Sequence, residues 1–367
     1  ASADDQSAGG QVATLGYHDL TGQLRDGMDQ FREVRPVPFA IVAGLVVIYI
    51  LLIGPIDYLI VKKWFKRMEL TWITFPIWVV LFSVGAYALA FWLKGDQLRV
   101  NQAELVDIDI PSGRVRGTTW THLFSPRPDT YNVTLQPQLP GGLPQRRRHV
   151  LLSWLGVPGE ALGGMQAGTS SSAIFARPYQ FAPQLDRLSD VPIQIWSTKS
   201  FVARWTAETT APLEATLKVA ADRTLSGHLT NRSDVDLGQC HLLFDRWIYR
   251  IASLPRGKKQ VIGEDLQPRY TRTWLQREGV YQPSGRDVPR ILEMMMFYTT
   301  AGGSEYVRLR NRYQSFCDLS GLLDAGRAIL VARGAPPGSQ FLRDDQPLAS
   351  SHDQRWVFYR FVLPVED

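Results

Sequence analysis

The chain has 367 residues, of which 45% are hydrophobic and 20% are charged. It is long enough for two to three domains and too apolar to be disordered. Its formal net charge of +5 is spread over the whole length, so nucleic acid is not an expected partner. The mean hydropathy of -0.13 is ordinary for a soluble protein, so any membrane segment must be local.

Two apolar stretches are long enough to cross a bilayer. Val37 to Val61 reads VPFAIVAGLVVIYILLIGPIDYLIV and carries one acid, Asp57, whereas Thr71 to Leu93 reads TWITFPIWVVLFSVGAYALAFWL and carries none. Helices of this length span the hydrocarbon layer of about 30 Å. Buried helices of a soluble core are the alternative, and a signal peptide fits poorly because no cleavage site follows. We therefore predict a transmembrane hairpin over residues 37–93.

Cations in the short loop between these stretches predict its side of the membrane. The loop carries a dense group of four positive residues: Lys62, Lys63, Lys66 and Arg67. The outer flanks carry cations that are more widely spaced and mixed with acids. The positive-inside rule places the loop in the cytoplasm, so both termini and most of the chain are expected to be extracytoplasmic.

The first stretch contains the motif Gly54-Pro55-Ile56-Asp57-Tyr58. Pro55 lacks an N–H and its ring clashes with the preceding turn, so a kink is expected there. Asp57 either pairs with the lysines of the loop or is buried against a partner helix or a proton path. We predict that Gly54, Pro55, Asp57 and Tyr58 form a kinked docking site in the membrane.

These residues also carry a resemblance. The stretch IYILLIGPIDYLIVKKWFKRMELTWITFPIWVVLFSVGAYAL resembles the core of a widespread bacterial family of two-helix membrane proteins without an assigned chemistry. Its marks are a Gly-Pro-(Ile/Leu)-(Asn/Asp)-Tyr motif, a basic loop and a Trp-x-x-x-Pro second span. The later LTNRSDVDL, DRWIYRIASLPRGKKQVI and RWVFYRFVLPV are similar to the family's β-rich tail.

The resemblance implies a hairpin in the bacterial inner membrane between extracytoplasmic domains. In the family, a glutamine-amidotransferase-like or von Willebrand A-like domain often precedes the hairpin, and a β-rich domain follows it. The genes often neighbour those of ABC-type transporter or AAA-ATPase components. Other membrane subunits are therefore the expected partners, beside the lipid bilayer itself.

The segment before the hairpin, residues 1–36, contains one helical pattern. Leu20, Leu24, Met28 and Phe31 recur at helical spacing with polar residues between them, as in an amphipathic helix. Two positions remain open for its apolar face, because it could pack on the protein's own β-rich part or lie in the outer membrane interface.

After Lys94 the sequence becomes a series of short β-type runs separated by Pro, Gly and Asn. The predicted strands are 98–110, 113–120, 131–135, 149–155, 193–196, 213–219 and 224–229, then a hairpin of 241–244 with 247–251 and a closing strand 356–363. The fold class expected is an α+β membrane protein with antiparallel β-sandwich-like domains. The predicted divisions are a first β-rich domain at 94–211, a β-sandwich domain at 212–270 and a mixed C-terminal region at 271–367.

Helical spacing returns near the end of the chain. Asp287 is expected to cap a helix with Val288, Ile291, Leu292, Met295 and Tyr298 on its apolar face, and Asp318 to cap a short one through Leu323. The run Met294-Met295-Met296 is interpreted as core filler rather than a metal site.

Motifs of known chemistry are missing from the sequence. It contains no P-loop, GxGxxG turn, GxSxG, HExxH or EF-hand loop, and its six histidines are scattered. No cofactor or metal is therefore expected. Cys240 and Cys317 either form a disulfide outside the cytoplasm or are separate buried apolar residues. Arg146, Arg147 and Arg148 form a cationic cluster that is either a solvated loop tip or a contact for lipid headgroups or an acidic partner.

Two functions from different classes follow from these observations. The first is a non-catalytic, membrane-anchored subunit or scaffold of a bacterial envelope or transporter-associated complex, presenting β domains to other proteins. The second is a membrane-anchored extracytoplasmic hydrolase with a carboxylate-based site, because such sites leave no sequence signature. The first is favoured, since no catalytic motif supports the second.

Overall fold

The computed structural model describes residues 19–31, 34, 39–65, 68–95, 97–140, 143–156, 179–263, 266–277, 281–282, 285–348 and 354–366. The chain is α+β, with two long apolar helices and mostly antiparallel sheets. Its helices are Leu20–Met28, Phe39–Lys63, Thr71–Lys94, Thr271–Leu275, Val288–Met296, Gly303–Val307 and Ser320–Asp324.

A nine-stranded sheet forms the centre of the fold, in the order β13-β11-β10-β16-β19-β1-β2-β7-β4. Its pairs are antiparallel except for β1 with β19, which run parallel. The strands, in chain order, are β1 Arg99–Asp109, β2 Arg114–Ser125, β4 Arg146–Trp154, β7 Ser197–Glu208, β10 Leu237–Phe244, β11 Trp247–Leu254, β13 Arg269–Tyr270, β16 Ala328–Arg333 and β19 Gln354–Leu363.

Smaller sheets cover one face of this large sheet. One has three strands and another has five. Their members are β8 Leu213–Val219, β9 Leu225–Asn231 and β12 Lys259–Ile262, and then β3 Asp129–Pro137, β5 Gln180–Phe181, β6 Arg187–Ile193, β17 Ser339–Arg343 and β18 Gln346–Pro347. A separate pair, β14 Tyr281–Gln282 and β15 Gly285–Arg286, completes the strands. Apolar residues of the three sheets form one continuous core cluster.

Helices cover the opposite face of the large sheet. Leu20, Leu24 and Met28 are buried there beside the helix Val288–Met296, in a second core cluster. The amphipathic N-terminal helix therefore packs on the protein's own β-rich part, which was one of the two positions left open. Its start is fixed by Asp19, which caps Thr21 N and accepts a hydrogen bond from Arg312 N.

Local patterns predicted many of these elements. The hairpin of β10 and β11 turns at Asp245-Arg246, with Phe244 opposite Trp247. Asp287 caps the helix Val288–Met296 by accepting a hydrogen bond from Arg290 N, and all three methionines of that helix are buried. Asp318 lies just before the helix Ser320–Asp324 and accepts a hydrogen bond from Ser320 N.

Other expectations need correction. The sizes of the sheets and the helical layer argue against a simple β-sandwich. The strand predicted at 193–196 is the end of β6 followed by a turn, because Trp196 has a φ of 52° that breaks the extended backbone. The closing strand predicted at 356–363 is present as β19, which lies inside the sheet between β16 and β1. Strands from the segments 94–211, 212–270 and 271–367 all belong to this sheet.

Candidate functional site

The two long helices expose their apolar side chains. In each of Phe39–Lys63 and Thr71–Leu93, no residue of the most apolar 18-residue stretch is buried. Val46, Val80 and Val84 are 51%, 60% and 62% exposed, values that a core helix would not show. The helices therefore differ from the other described helices, whose apolar faces are buried against the sheet.

The Gly54-Pro55 motif widens the first helix instead of ending it. A π-helical turn, Leu52–Ile56, contains Pro55, and Asp57 N donates to Leu52 O across it. The longer turn accommodates the missing N–H of the proline. Pro55 therefore lies in a wide turn of a helix that continues to Lys63.

Asp57 is buried between the two helices. Trp78 Nε1 on the second helix donates a hydrogen bond of 3.1 Å to Asp57 Oδ1, and Asp57 is 1% exposed. The sequence left open whether Asp57 pairs with the loop lysines or faces another helix. In the structure it faces the second helix of its own hairpin. We call this contact the hairpin clasp.

The loop cations lie at the end of the first helix. Lys62 Nζ donates to Tyr58 Oη at 2.9 Å and lies 5.1 Å from the centre of the Tyr58 ring. Both Lys62 and Lys63 are exposed. The predicted topology residues Lys66 and Arg67 lie outside the described residues.

At its other end, the second helix packs on the β-rich part. The Trp196 ring, in the turn between β6 and β7, lies 5.7 Å from the Phe91 ring and 6.4 Å from the Tyr87 ring, measured between centroids. These aromatic contacts join the end of the hairpin to the sheets.

In the structure, Arg147 and Arg148 of the predicted arginine cluster line different cavities. Arg147 has a φ of 47°, at an irregularity in the pairing of β4 with β7, and its Nη1 lies 3.4 Å from Glu208 Oε1. All three arginines are exposed. Arg148 lines a cavity beside Ser339, whereas Arg147 lines a different cavity beside Asp109.

The cysteines are both free and buried. Cys240 belongs to the core cluster between the sheets, and Cys317 to the cluster beneath the helices. Of the two alternatives left open, the structure shows separate buried residues and no disulfide, because the two thiols lie in different layers. Each is a small apolar core residue, and burial raises the pKa of both thiols to about 12.

A fully buried carboxylate, Glu104 on β1, was not singled out in the sequence. Its Oε1 accepts hydrogen bonds from Ser339 Oγ at 2.6 Å and Thr119 Oγ1 at 3.1 Å, and its Oε2 accepts one from Gly338 N at 2.8 Å. Burial raises its pKa to about 7, and these hydrogen bonds oppose the rise. Glu104 thus fastens β17 to the central strand and is enclosed by protein.

A cleft of about 660 Å³ lies between β10, β11, β16 and the helices. Its lining contains four arginines and one glutamate, Glu293, among the described residues. We call it the arginine cleft, after Arg250, Arg269, Arg277 and Arg333. On its floor, Arg250 lies opposite His241 and Arg333 opposite Gly238 in the strand pairing.

Aromatic and apolar residues complete the cleft. The Trp274 ring lies 4.8 Å from the His241 ring, and the Arg277 guanidinium lies 4.0 Å from the centre of the Trp274 ring. Glu293 Oε2 accepts from Arg277 at 3.0 Å and from Arg290 at 2.9 Å. Met296 and Phe297 of the helix end also line the cleft.

Nothing in the linear sequence marked this cleft, because its arginines come from separate strands. Cys240 and His241 are adjacent on β10, but Cys240 lies in the core between the sheets and His241 lines the cleft. A bulge between Gly238 and His241, with Gln239 at a φ of 46°, shifts the register there. The pKa of His241 is lowered by burial and by Arg277 and Arg250, although Glu293 opposes this.

No group of three His, Cys, Asp or Glu residues able to hold a metal occurs among the residues that the structure describes.

Comparison with protein-family models and with curated proteins returns no match. Among solved structures, the yeast delta-COP-I mu-homology domain is similar over 73% of this chain and 97% of that chain, with 9% identity and a TM-score of 0.28. The same yeast domain complexed with the Dsl1 WxWxV peptide gives 7% identity and a TM-score of 0.26, over 73% and 98% of the two chains. TM-scores of this size establish no common fold, and no functional argument follows from them.

Proposed function

We propose that this protein is a non-catalytic, membrane-anchored subunit of a bacterial envelope or transporter-associated complex. The two long helices form the anchor, and the β-rich part is presented to protein partners outside the cytoplasm. The observation that carries the proposal is that no residue in the most apolar stretch of either helix is buried. In water such a surface would be strongly unfavourable, whereas lipid would cover it.

The hairpin clasp supports the same proposal. A carboxylate inside a membrane span is costly unless a donor satisfies it, and Trp78 supplies such a donor. Gly44, Gly54 and Gly85 have open space where a Cβ would lie. These small residues leave room for a helix of another subunit to approach closely. Our proposed docking surface is therefore the exposed Gly54, Pro55 and Tyr58, and Asp57 supports it from within the hairpin.

The proposal is tested by membrane fractionation with a matched set of lysine variants. We expect the wild-type chain to stay in the membrane pellet through an alkaline carbonate wash. Val46→Lys with Val80→Lys should reduce insertion, since each charge at a span centre costs about 3 kcal/mol. Val261→Lys changes a valine of similar exposure, 57%, on β12 and should insert normally. Release of the wild-type chain by carbonate would contradict the proposal.

Co-purification separates a subunit from the alternative hydrolase. In mild detergent, a subunit should retain stoichiometric partners, whereas a lone chain that cleaves cell-wall material would favour the enzyme. Two of the described carboxylates are poorly placed for hydrolysis, because Glu104 is enclosed and Asp107 is paired with Arg360 and Arg116.

A further inference from the structure

Within the part of the chain that the structure describes, the arginine cleft contains more positive than negative charge. Glu293 pairs with Arg277 and with the buried Arg290. Arg250, Arg269 and Arg333 have no carboxylate within ion-pair distance among the described residues. Three cations that line one concave surface raise the local concentration of anions and favour an anionic ligand.

The cations are spread across the sheet. Arg269 is on β13, Arg250 on β11 and Arg333 on β16, in the strand order β13-β11-β10-β16. Neighbouring strands lie about 4.8 Å apart, so Arg269 on β13 and Arg333 on β16 are separated by roughly 14 Å across the sheet. One small carboxylate cannot bridge that distance, whereas acidic side chains at alternate positions of an extended peptide recur about every 7 Å.

Apolar surface lies beside these charges. Leu266, Pro268 and Trp274 line the same cleft and are partly exposed, and Arg333 lies 5.5 Å from the centre of the Phe358 ring. The Gln239 bulge adds a main-chain distortion at its edge, a feature that is frequent beside binding sites. A ligand that matches both properties carries apolar residues between its acids.

We propose that the arginine cleft binds an extended acidic peptide segment of a partner protein. Its carboxylates contact Arg250, Arg269 and Arg333, and an intervening apolar side chain packs against Leu266, Pro268 and Trp274. Arg277 is fixed by Glu293 and Trp274 and forms one wall. This inference rests on the proposed function in one respect, because it assumes that the peptide belongs to a partner protein.

The test uses the full chain in detergent and measures fluorescence anisotropy of a labelled peptide with alternating glutamate and leucine. We expect saturable binding that weakens with added salt and is at least tenfold weaker for the glutamine–leucine version. Replacing Arg250→Gln or Arg333→Gln should weaken binding about tenfold each. Arg246→Gln removes an exposed arginine outside the cleft, beside Trp247, and should change nothing.

A second variant separates charge from folding. Ala252→Trp fills the cleft without removing a cation and should also abolish binding, whereas Ser253→Trp, at the next position of β11, should not. Equal binding by wild type and the Arg250→Gln/Arg333→Gln double variant would overturn the proposal. Competition by citrate at the same carboxylate concentration would also overturn it, in favour of a small carboxylate. Neither result would affect the carbonate test of the membrane anchor.

Discussion

Trp78 Nε1 lies 3.1 Å from Asp57 Oδ1, so the indole of the second apolar helix donates directly to the carboxylate of the first. The Gly54-Pro55 turn precedes this contact by one residue. The wide turn and the clasp together explain how an interrupted apolar helix accommodates a carboxylate.

The hairpin clasp should couple its two residues energetically. In detergent, Asp57→Leu and Trp78→Phe should each destabilise the chain, and the double variant should cost no more than the larger single change. We expect a coupling of about 1 kcal/mol, typical of polar contacts between membrane helices. Trp72→Phe is the matched control, because Trp72 is 86% exposed. Strict additivity between Asp57→Leu and Trp78→Phe would show that the contact does not stabilise the hairpin.

Glu104 should make stability depend on pH. Its folded-state pKa of about 7 lies above the ordinary value of 4.5, so the folded protein holds a proton that the unfolded chain has already lost. This contribution is fully present below about pH 4.5, is lost as the pH rises to about 7 and is constant above that, a change of about 3 kcal/mol.

Urea unfolding of the full chain at pH 5 and pH 8 measures this effect. Glu104→Gln keeps an acceptor for Gly338 N and can donate to Ser339 Oγ and Thr119 Oγ1. We expect the stability difference between wild type and Glu104→Gln to move in favour of the variant at pH 8. A difference independent of pH would place the pKa of Glu104 outside this window.

Gly117 should tolerate no larger residue. It lies opposite Trp205 in the pairing of β2 with β7, and a Cβ there would lie 1.9 Å from the Trp205 ring. Trp205 is 1% exposed and donates to Thr119, so it cannot move away freely. Gly117→Ala should cost about 3 kcal/mol through overpacking.

Gly321 provides the comparison for this variant. A Cβ at Gly321 meets no atom within 4 Å, so Gly321→Ala in the helix Ser320–Asp324 should be neutral or slightly stabilising. Thermal unfolding of both variants checks the difference. Equal midpoints for the two would mean that the indole does not pack over Gly117.

Arg360 should be sensitive to a change that keeps its charge. It is 1% exposed, contacts Asp107 through two nitrogens at 2.6 and 3.0 Å, and also donates to Cys317 O. Arg360→Lys cannot reproduce this fork and should cost about 3 kcal/mol of unfolding free energy. Arg116 binds the same carboxylate from a side chain that is 45% exposed, so Arg116→Lys should cost less than about 1 kcal/mol. Similar losses of unfolding free energy in Arg360→Lys and Arg116→Lys would contradict the claim that burial makes the Arg360 contact more important.

Local patterns predicted elements whose contacts are local. The β10–β11 turn and the Asp287 cap depend on residues within a few positions of each other. The two apolar helices were predicted from long apolar runs, which are also local features of the sequence. Strand β7 was missed although Phe201, Ala203, Trp205 and Ala207 alternate with less buried residues along it. This alternation could have been recognised in the sequence. The strand predicted at 193–196 instead ended one residue before β7 begins at Ser197.

Contacts between distant residues were not accessible in the same way. The polar residues of β1 are buried because β2, β19 and the Gly338-Ser339 turn surround them, and a strand reading VNQAELVDID does not show that environment. The arginine cleft combines residues from β10 to β19, so only the folded chain brings them together.

Cysteine labelling in intact cells tests the central claim of an inserted hairpin most directly. The native Cys240 and Cys317 are 0% and 1% exposed, so a background from them should be low. With a membrane-impermeant thiol reagent, we expect Arg256→Cys, on the exposed turn after β11, and Arg147→Cys to label in intact cells. Lys63→Cys should label only after the cells are opened. Equal labelling of Lys63→Cys and Arg256→Cys in intact cells would contradict a hairpin that crosses the membrane.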